Sequence, residues 1–137
     1  ILDYPFAHIQ SVNNKGSYTN DGSKKGIRML KNIRSDSDNK LNSFQLTTII
    51  HSIENQKLPS ATGTEIILAN KISQQLNNLI NNPTYRKSIQ SPNGTEYPLT
   101  DDCVKEMEKM KEELDILVRD GYLEMKSSSL QRTINSY

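Results

Sequence analysis

The chain contains no tryptophan, a single cysteine and few aromatic residues. One cysteine, Cys103, excludes an intramolecular disulfide and a cysteine-rich metal site, and it is compatible with a reducing compartment. No stretch approaches the roughly 18 apolar residues of a membrane-spanning helix, and no signal peptide is visible. We therefore expect a cytoplasmic protein without a membrane partner. Because the chain begins at Ile1 rather than at a methionine, we expect it to be a piece of a longer protein.

The sequence also lacks the usual motifs of catalysis and metal binding. It has neither a Walker A nor a GxGxxG sequence, and His8 and His51 have no HExxH or CxxC context. The acidic neighbours of Cys103 disfavour a reactive thiolate, so we expect an ordinary half-buried cysteine. The charges that alternate along residues 105–115 are typical of a solvated helix face. We therefore expect no catalytic residue and no metal ligand in this chain.

The charge is nearly balanced overall but is unevenly distributed. The formal net charge is +1, which argues against a general polyanion binder. Residues 1–40 carry seven Lys and Arg against four Asp and Glu, whereas residues 101–126 carry five against nine. A bound anion is therefore expected in the N-terminal half.

Turn residues and apolar periodicity predict a mainly α protein with four to five helices and an irregular N-terminal segment. With 137 residues, the chain is expected to form a single helical domain over residues 1–126. Residues 1–20, including His8, are predicted to be an irregular lead-in, and residues 127–137 a flexible tail. Helices are predicted at about 21–35, from 42 or 43 to 53, 64–81, a short one from Pro83, and 101–119, ending at Asp120-Gly121.

Apolar stripes predict which side of each helix is buried. They consist of Ile27, Leu30 and Ile33 in the first helix; Leu46, Ile49, Ile50 and Ile53 in the second; Ile67, Ile72, Leu76, Leu79 and Ile80 in the third; and Val104, Met107, Leu114, Leu117 and Val118 in the last.

A cationic stripe lies on the first of these helices. Lys24, Arg28 and Lys31 are spaced i, i+4 and i+7, which places them along one side of an α-helix. Ser43 and Phe44 open the next helix, and an antiparallel helix pair would bring them beside the stripe. A hydroxyl and free helix N-terminal amides donate to phosphate, and an exposed ring can stack on a base. This combination suits a nucleoside triphosphate.

These residues resemble the C-terminal helical half of cyclic-GMP-AMP-synthase-like and oligoadenylate-synthase-like nucleotidyltransferases, which are of the polymerase-beta type. The resemblance is carried by residues 1–54. In that family the lysine matching Lys31 and the serine matching Ser43 contact the donor triphosphate, and the aromatic matching Phe44 stacks near the base. Here phenylalanine replaces the commoner tyrosine and lacks its hydroxyl. The resemblance thus implies nucleotide binding by Lys31, Ser43 and Phe44, together with Arg28 and Lys24.

The resemblance also implies what the rest of the protein contains. Family members use a Gly-Ser loop and three carboxylates on a β-sheet to hold two Mg²⁺ ions, and these 137 residues contain none of those parts. The implied function is a helical lobe that positions the triphosphate of ATP or GTP. The implied partner is an N-terminal nucleotidyltransferase lobe, without which the chain is not expected to turn over. A role in antiviral defence is implied as well.

Two other functions fit the sequence. A stand-alone helical interaction module would use the seam of Val104, Met107, Leu114 and Leu117 to pack on a partner or a second copy. Nucleic-acid binding through the cationic stripe is the third hypothesis, and the near-zero net charge disfavours it.

Overall fold

The computed structural model describes the backbone of residues 3–135 and the side chains of residues 6–123. Within this part of the chain there are helices and connecting loops but no β-strand, which confirms the mainly α class. The described residues form six α-helices rather than four to five. They are α1 (Asp3–Tyr18), α2 (Gly22–Ser37), α3 (Ser43–His51), α4 (Glu65–Asn81), α5 (Pro83–Ser88) and α6 (Val104–Asn135), with 3₁₀ turns at Asn55–Lys57 and Asp101–Cys103. None of the described helices is both long and apolar enough to span a bilayer.

The prediction of an irregular lead-in is wrong for residues 3–18, which form helix α1 and include His8. The helix packs on α2 and α3. The Lys15 ammonium group donates to the carbonyl of Ile53 and to the side chain of Asn55, both at 2.7 Å. These tertiary contacts outweigh the weak helix propensity of Pro5 and of the polar turn cluster at residues 13–17, on which the prediction was based.

The prediction that the last helix ends at Asp120-Gly121 is also wrong, because α6 continues to Asn135. Gly121 is half-buried, and a β-carbon at this position would lie 2.8 Å from Cδ1 of Ile66. A close helix contact thus accounts for the glycine that the sequence suggested as a terminator. The predicted flexibility of residues 127–137 stays a prediction, since their side chains and residues 136–137 lie outside the described part.

The core lies mainly between α4 and α6, the helix pair with the most extensive contact. The predicted stripe of α3 is confirmed, as Leu46, Ile49, Ile50 and Ile53 are all buried. The α4 stripe is rotated slightly from the prediction, because Leu68 faces the core and Ile67 is 52% exposed. The fully buried apolar side chains of the pair are Ala69, Ile72, Leu76, Leu79, Met107, Met110 and Leu114.

This packing bears on the interaction-module hypothesis. Met107 and Leu114, the centre of the seam proposed for a partner, are fully buried within the chain. Leu117 is 39% exposed and Val104 is half-buried. The seam is therefore occupied by the chain's own core, and the hypothesis is wrong in that form.

Helix α2 approaches its neighbours closely at two glycines. A β-carbon on Gly26 would lie 3.1 Å from Cδ1 of Ile50, and one on Gly22 would lie 2.0 Å from the carbonyl oxygen of Leu58. Asp21, the N-cap residue of α2, makes no side-chain capping bond. Instead, the Thr19 hydroxyl accepts a hydrogen bond from the Ser23 amide at 3.0 Å.

A buried arginine joins the end of α4 to the start of α6. The Arg86 side chain is 3% exposed, donates to the Leu79 carbonyl at 3.1 Å and pairs with Asp101. The exposed Lys87 binds the other oxygen of the same carboxylate at 3.0 Å. Hydrogen bonds from Lys87 and Arg86 lower the pKa of Asp101. The two cations share one carboxylate but differ greatly in burial.

We expect Arg86→Met to lower the free energy of unfolding by about 3 kcal/mol, because the Leu79 carbonyl loses its donor in the interior. The matched control, Lys87→Met, breaks an exposed pair and is expected to cost less than about 1 kcal/mol. Urea denaturation of the two variants measures both values. Equal losses would contradict a structural role for the buried guanidinium.

Candidate functional site

The turn between α2 and α3 is held at both of its ends by one residue, Arg34. The Arg34 guanidinium donates from Nη1 to the carbonyl of Leu41 at 3.2 Å and to the Ser43 hydroxyl at 3.1 Å. Its backbone carbonyl accepts from the amide of Asn39 at 3.1 Å. Asp38, between them, adopts the left-handed conformation that ends the helix, with φ of 54°. The chain therefore reverses tightly and returns to Ser43 beside the last turn of α2.

Helix α6 anchors the same turn through Glu106. The Asn39 side chain donates to the Glu106 carbonyl at 2.9 Å, and the Lys40 amide donates to the Glu106 carboxylate at 3.0 Å. Hydrogen bonds from the Lys40 amide and the Lys109 side chain lower the pKa of Glu106. Because α6 belongs to the core pair, these bonds fix the turn to the most tightly packed part of the domain.

The N-terminus of α3 leaves donors available at the surface. Asn42 and Gln45 form a capping box, in which the Gln45 amide donates to Asn42 Oδ1 at 2.8 Å and the Asn42 amide donates to Gln45 Oε1 at 3.0 Å. Among the described residues, the amides of Ser43 and Phe44 have no hydrogen-bond acceptor, and Ser43 is exposed. Free amides at the positive end of a helix dipole attract anions.

Lys31 lies one helical turn before Arg34 on α2. It is exposed and precedes Arg34 by three residues, so the two side chains are neighbours on the surface of α2. Arg34 contacts Ser43 directly. This places a cation within one helical turn of the residue that binds the Ser43 hydroxyl.

The other two cations of the stripe diverge from this point. The aliphatic stem of Lys24 crosses α1, where a β-carbon on Gly16 would meet its Cε at 2.8 Å. Arg28 lines a separate cleft of about 320 Å³ that also contains Met29 and Leu68. The structure thus joins Arg34 to Ser43, with Lys31 one helical turn away from Arg34, and it places Lys24 against α1 and Arg28 in a separate cleft.

Phe44 is half-buried rather than freely exposed. Its ring packs against the His8 ring of α1, with 5.4 Å between ring centroids and 35° between the planes. This contact connects α1 to the start of α3. It also covers part of the ring that the sequence assigned to base stacking.

Helices α1 and α3 also bring three basic side chains close together, namely His8, Lys15 and His51. Burial, followed by the charges of Lys15 and His8, lowers the pKa of His51. Burial also lowers the pKa of Lys15. A surface cavity of about 300 Å³ beside them is lined by polar groups, including Tyr18 and Asn55. The packing of α1 on α3 therefore favours a neutral His51.

Sequence reasoning did not identify Arg34 as part of the site. Nothing in the sequence signals its contact with Ser43, because that contact depends on the path of the turn. The capping box was recognisable, since an Asn followed three residues later by Gln is a helix-start signature.

Cys103 is buried, and its burial raises the thiol pKa, in agreement with a structural cysteine. In the part of the chain that is described, no three His, Cys, Asp or Glu side chains are grouped to hold a metal ion.

The fold and this turn define a helical lobe of the kind found in nucleotidyltransferases. Residues 10–119 match the cGAS/DncV-like nucleotidyltransferase C-terminal helical domain, so the chain belongs to that family. This confirms the resemblance found in the sequence. Membership rests on most of the chain, including the helices after residue 60.

Relatives and solved structures agree with this assignment. A c-di-GMP synthase from Flavobacteriaceae sp. is 35% identical over 127 residues, which cover 87% of this chain and 34% of the relative. A cyclic dinucleotide synthase CdnE from Yersinia aleksiciae is 29% identical over 100 residues, or 69% of this chain and 26% of the relative. The STING-associated CdnE c-di-GMP synthase structure from Capnocytophaga granulosa superposes with a TM-score of 0.76 at 32% identity, covering 85% of this chain and 39% of that one. The chain thus spans about a third of the length of the relatives that it matches.

Acidification is expected to weaken the packing of α1 on α3. The pKa of His51 in the folded chain lies below its ordinary value of 6.5. As the pH falls, the unfolded chain therefore protonates His51 before the folded chain does. The free energy of unfolding should therefore fall as pH drops below about 6.5, and His51→Gln should reduce this dependence. Urea denaturation at a series of pH values between neutrality and pH 5 measures it. The same slope in both proteins would contradict the assignment of this titration to His51.

Proposed function

We propose that this chain holds the triphosphate of ATP or GTP for a nucleotidyltransferase lobe, which joins the nucleotide to an acceptor. Lys31 and Ser43 are the principal contacts in this proposal. The observation that carries it is the set of unoccupied donors at the start of α3, where Ser43 contacts Arg34, one helical turn beyond Lys31. A triphosphate presents only acceptor oxygens and negative charge at neutral pH, so it complements this set.

Each residue has a separate task in the proposed site. The Lys31 ammonium group neutralises charge on the triphosphate, and the Ser43 hydroxyl and the amides of Ser43 and Phe44 donate to its oxygens. The ring of Phe44, braced by His8 on one side, offers its remaining surface to the base. Lys24 lies about 10 Å along the helix axis from Lys31. We therefore assign Lys24 and Arg28 to the positive field that attracts the nucleotide rather than to direct contacts.

The relatives support a narrower proposal for the intact protein. Two relatives named c-di-GMP synthase, from Flavobacteriaceae sp. and Capnocytophaga granulosa, are 35% and 32% identical to this chain. We propose that the intact protein likewise makes a cyclic dinucleotide, with GTP as a substrate. The similarity to STING-associated synthases also supports a role in antiviral defence, and action in the cytoplasm stays a prediction.

In this proposal the chemistry takes place outside the chain. Mg²⁺ is held by carboxylates of an N-terminal lobe, as the family resemblance implies, and it would activate the acceptor and stabilise charge on the reacting phosphate. The residues described here bind and orient the nucleotide. The 137-residue chain alone is therefore expected to bind a triphosphate and to form no product.

Lys31→Met and Ser43→Ala should each weaken binding of GTP or inorganic tripolyphosphate by about tenfold, the loss of one charge-assisted contact. Isothermal titration calorimetry of the 137-residue chain measures this change. Both side chains are exposed, so Lys31→Met should not alter thermal unfolding, and Ser43→Ala, which removes the exposed bond to Arg34, should lower stability by no more than about 1 kcal/mol.

The matched control is Lys105→Met, which removes an exposed cation of the same length from α6. It should leave triphosphate affinity unchanged. Affinity lost equally in all three variants, or in none, would contradict the proposed site.

A further inference from the structure

The hydrogen bond between Arg34 and Ser43 has a defined direction. A guanidinium group can only donate, so the Ser43 hydroxyl accepts at the 3.1 Å contact with Nη1. A serine hydroxyl has one proton and two acceptor lone pairs. The proton is therefore not used in this bond, and the other described residues provide no acceptor for it.

The second bond from the same nitrogen fixes the position of the serine. Arg34 Nη1 also donates to the carbonyl of Leu41, 3.2 Å away and two residues before Ser43. The guanidinium is half-buried and planar, and it bridges the end of the turn and the first residue of α3. It thus holds the Ser43 oxygen against the end of α2 and leaves the proton of this exposed hydroxyl available to a ligand.

We propose that Arg34 is a positioning residue for triphosphate recognition, which acts through Ser43 and not by touching the phosphate. This inference rests on the proposed triphosphate site. By occupying one of the two lone pairs, Arg34 leaves the proton of the hydroxyl available and strengthens it as a donor, because a hydrogen bond accepted from a cation polarises the O–H group. Phosphate oxygens accept and do not donate, so a hydroxyl oriented in this way selects for them.

Two other roles for Arg34 make different predictions. If Arg34 bound the phosphate itself, its contribution to affinity would be independent of Ser43. If it only stabilised the turn, its removal would lower stability and would weaken binding equally with or without the Ser43 hydroxyl. Only a role exerted through the hydroxyl disappears when the hydroxyl is removed.

A double-mutant cycle in the 137-residue chain separates these roles, with Arg34→Met, Ser43→Ala and the double variant titrated with tripolyphosphate. We expect each single variant to weaken binding about tenfold, and the double variant to be no weaker than Ser43→Ala. A loss of about a hundredfold in the double variant, the product of independent effects, would overturn the inference. So would unchanged affinity in Arg34→Met when Ser43→Ala is weakened. Unchanged affinity in Ser43→Ala would instead overturn the proposed site and this inference with it.

The conservative variant Arg34→Lys tests the same positioning role a second time. It keeps a cationic donor near the turn, so we expect it to weaken binding less than Arg34→Met does. If Arg34→Met fails to fold, as judged by circular dichroism, the cycle is run with Arg34→Lys. Its smaller loss must also vanish in the Ser43→Ala background.

Discussion

The close approach of α2 to α3 and α4 is the constraint on which the rest of the structure depends. Gly26 lies against Ile50 and Ile72, where a side chain would meet both at 3.1–3.5 Å. This proximity buries Leu30 completely and Ile33 almost completely. With that face of α2 fixed in the core, Lys31 must face solvent and Arg34 must lie beside the returning chain. The orientation of the candidate site therefore follows from the packing of small and apolar residues on the opposite side of the same helix.

The polar bonds of the α2–α3 turn complete this arrangement. Arg34 of α2 and Glu106 of α6 bind the turn, Asn39 within the turn contributes its own side chain, and the Asn42 capping box satisfies one amide of α3. What is left unsatisfied is concentrated at Ser43 and Phe44. A rigid support around a few available donors is the arrangement that anion recognition favours, because little ordering is needed on binding.

The sequence predicted the parts of this structure that depend on local patterns. The apolar stripe of α3, the bounds of α4 to within a residue and the proline-initiated α5 follow from periodicity and capping signals. Lys31 and Ser43 were also predicted as nucleotide-binding residues, from the cationic stripe and the start of the next helix. Three features depended on distant contacts and could not be read locally. Helix α1 is stabilised by packing and by Lys15, Gly121 by its contact with Ile66, and Arg34 meets Ser43 only through the turn.

The central claim is that a triphosphate binds at the start of α3. Backbone amide chemical shifts in the ¹⁵N-labelled chain, followed by NMR during titration with tripolyphosphate, test it most directly. The account predicts the largest changes at Ser43 and Phe44, with smaller ones near Lys31, since the free amides would gain acceptors. Changes confined to the cleft lined by Arg28 and Met29, with Ser43 and Phe44 unaffected, would contradict it.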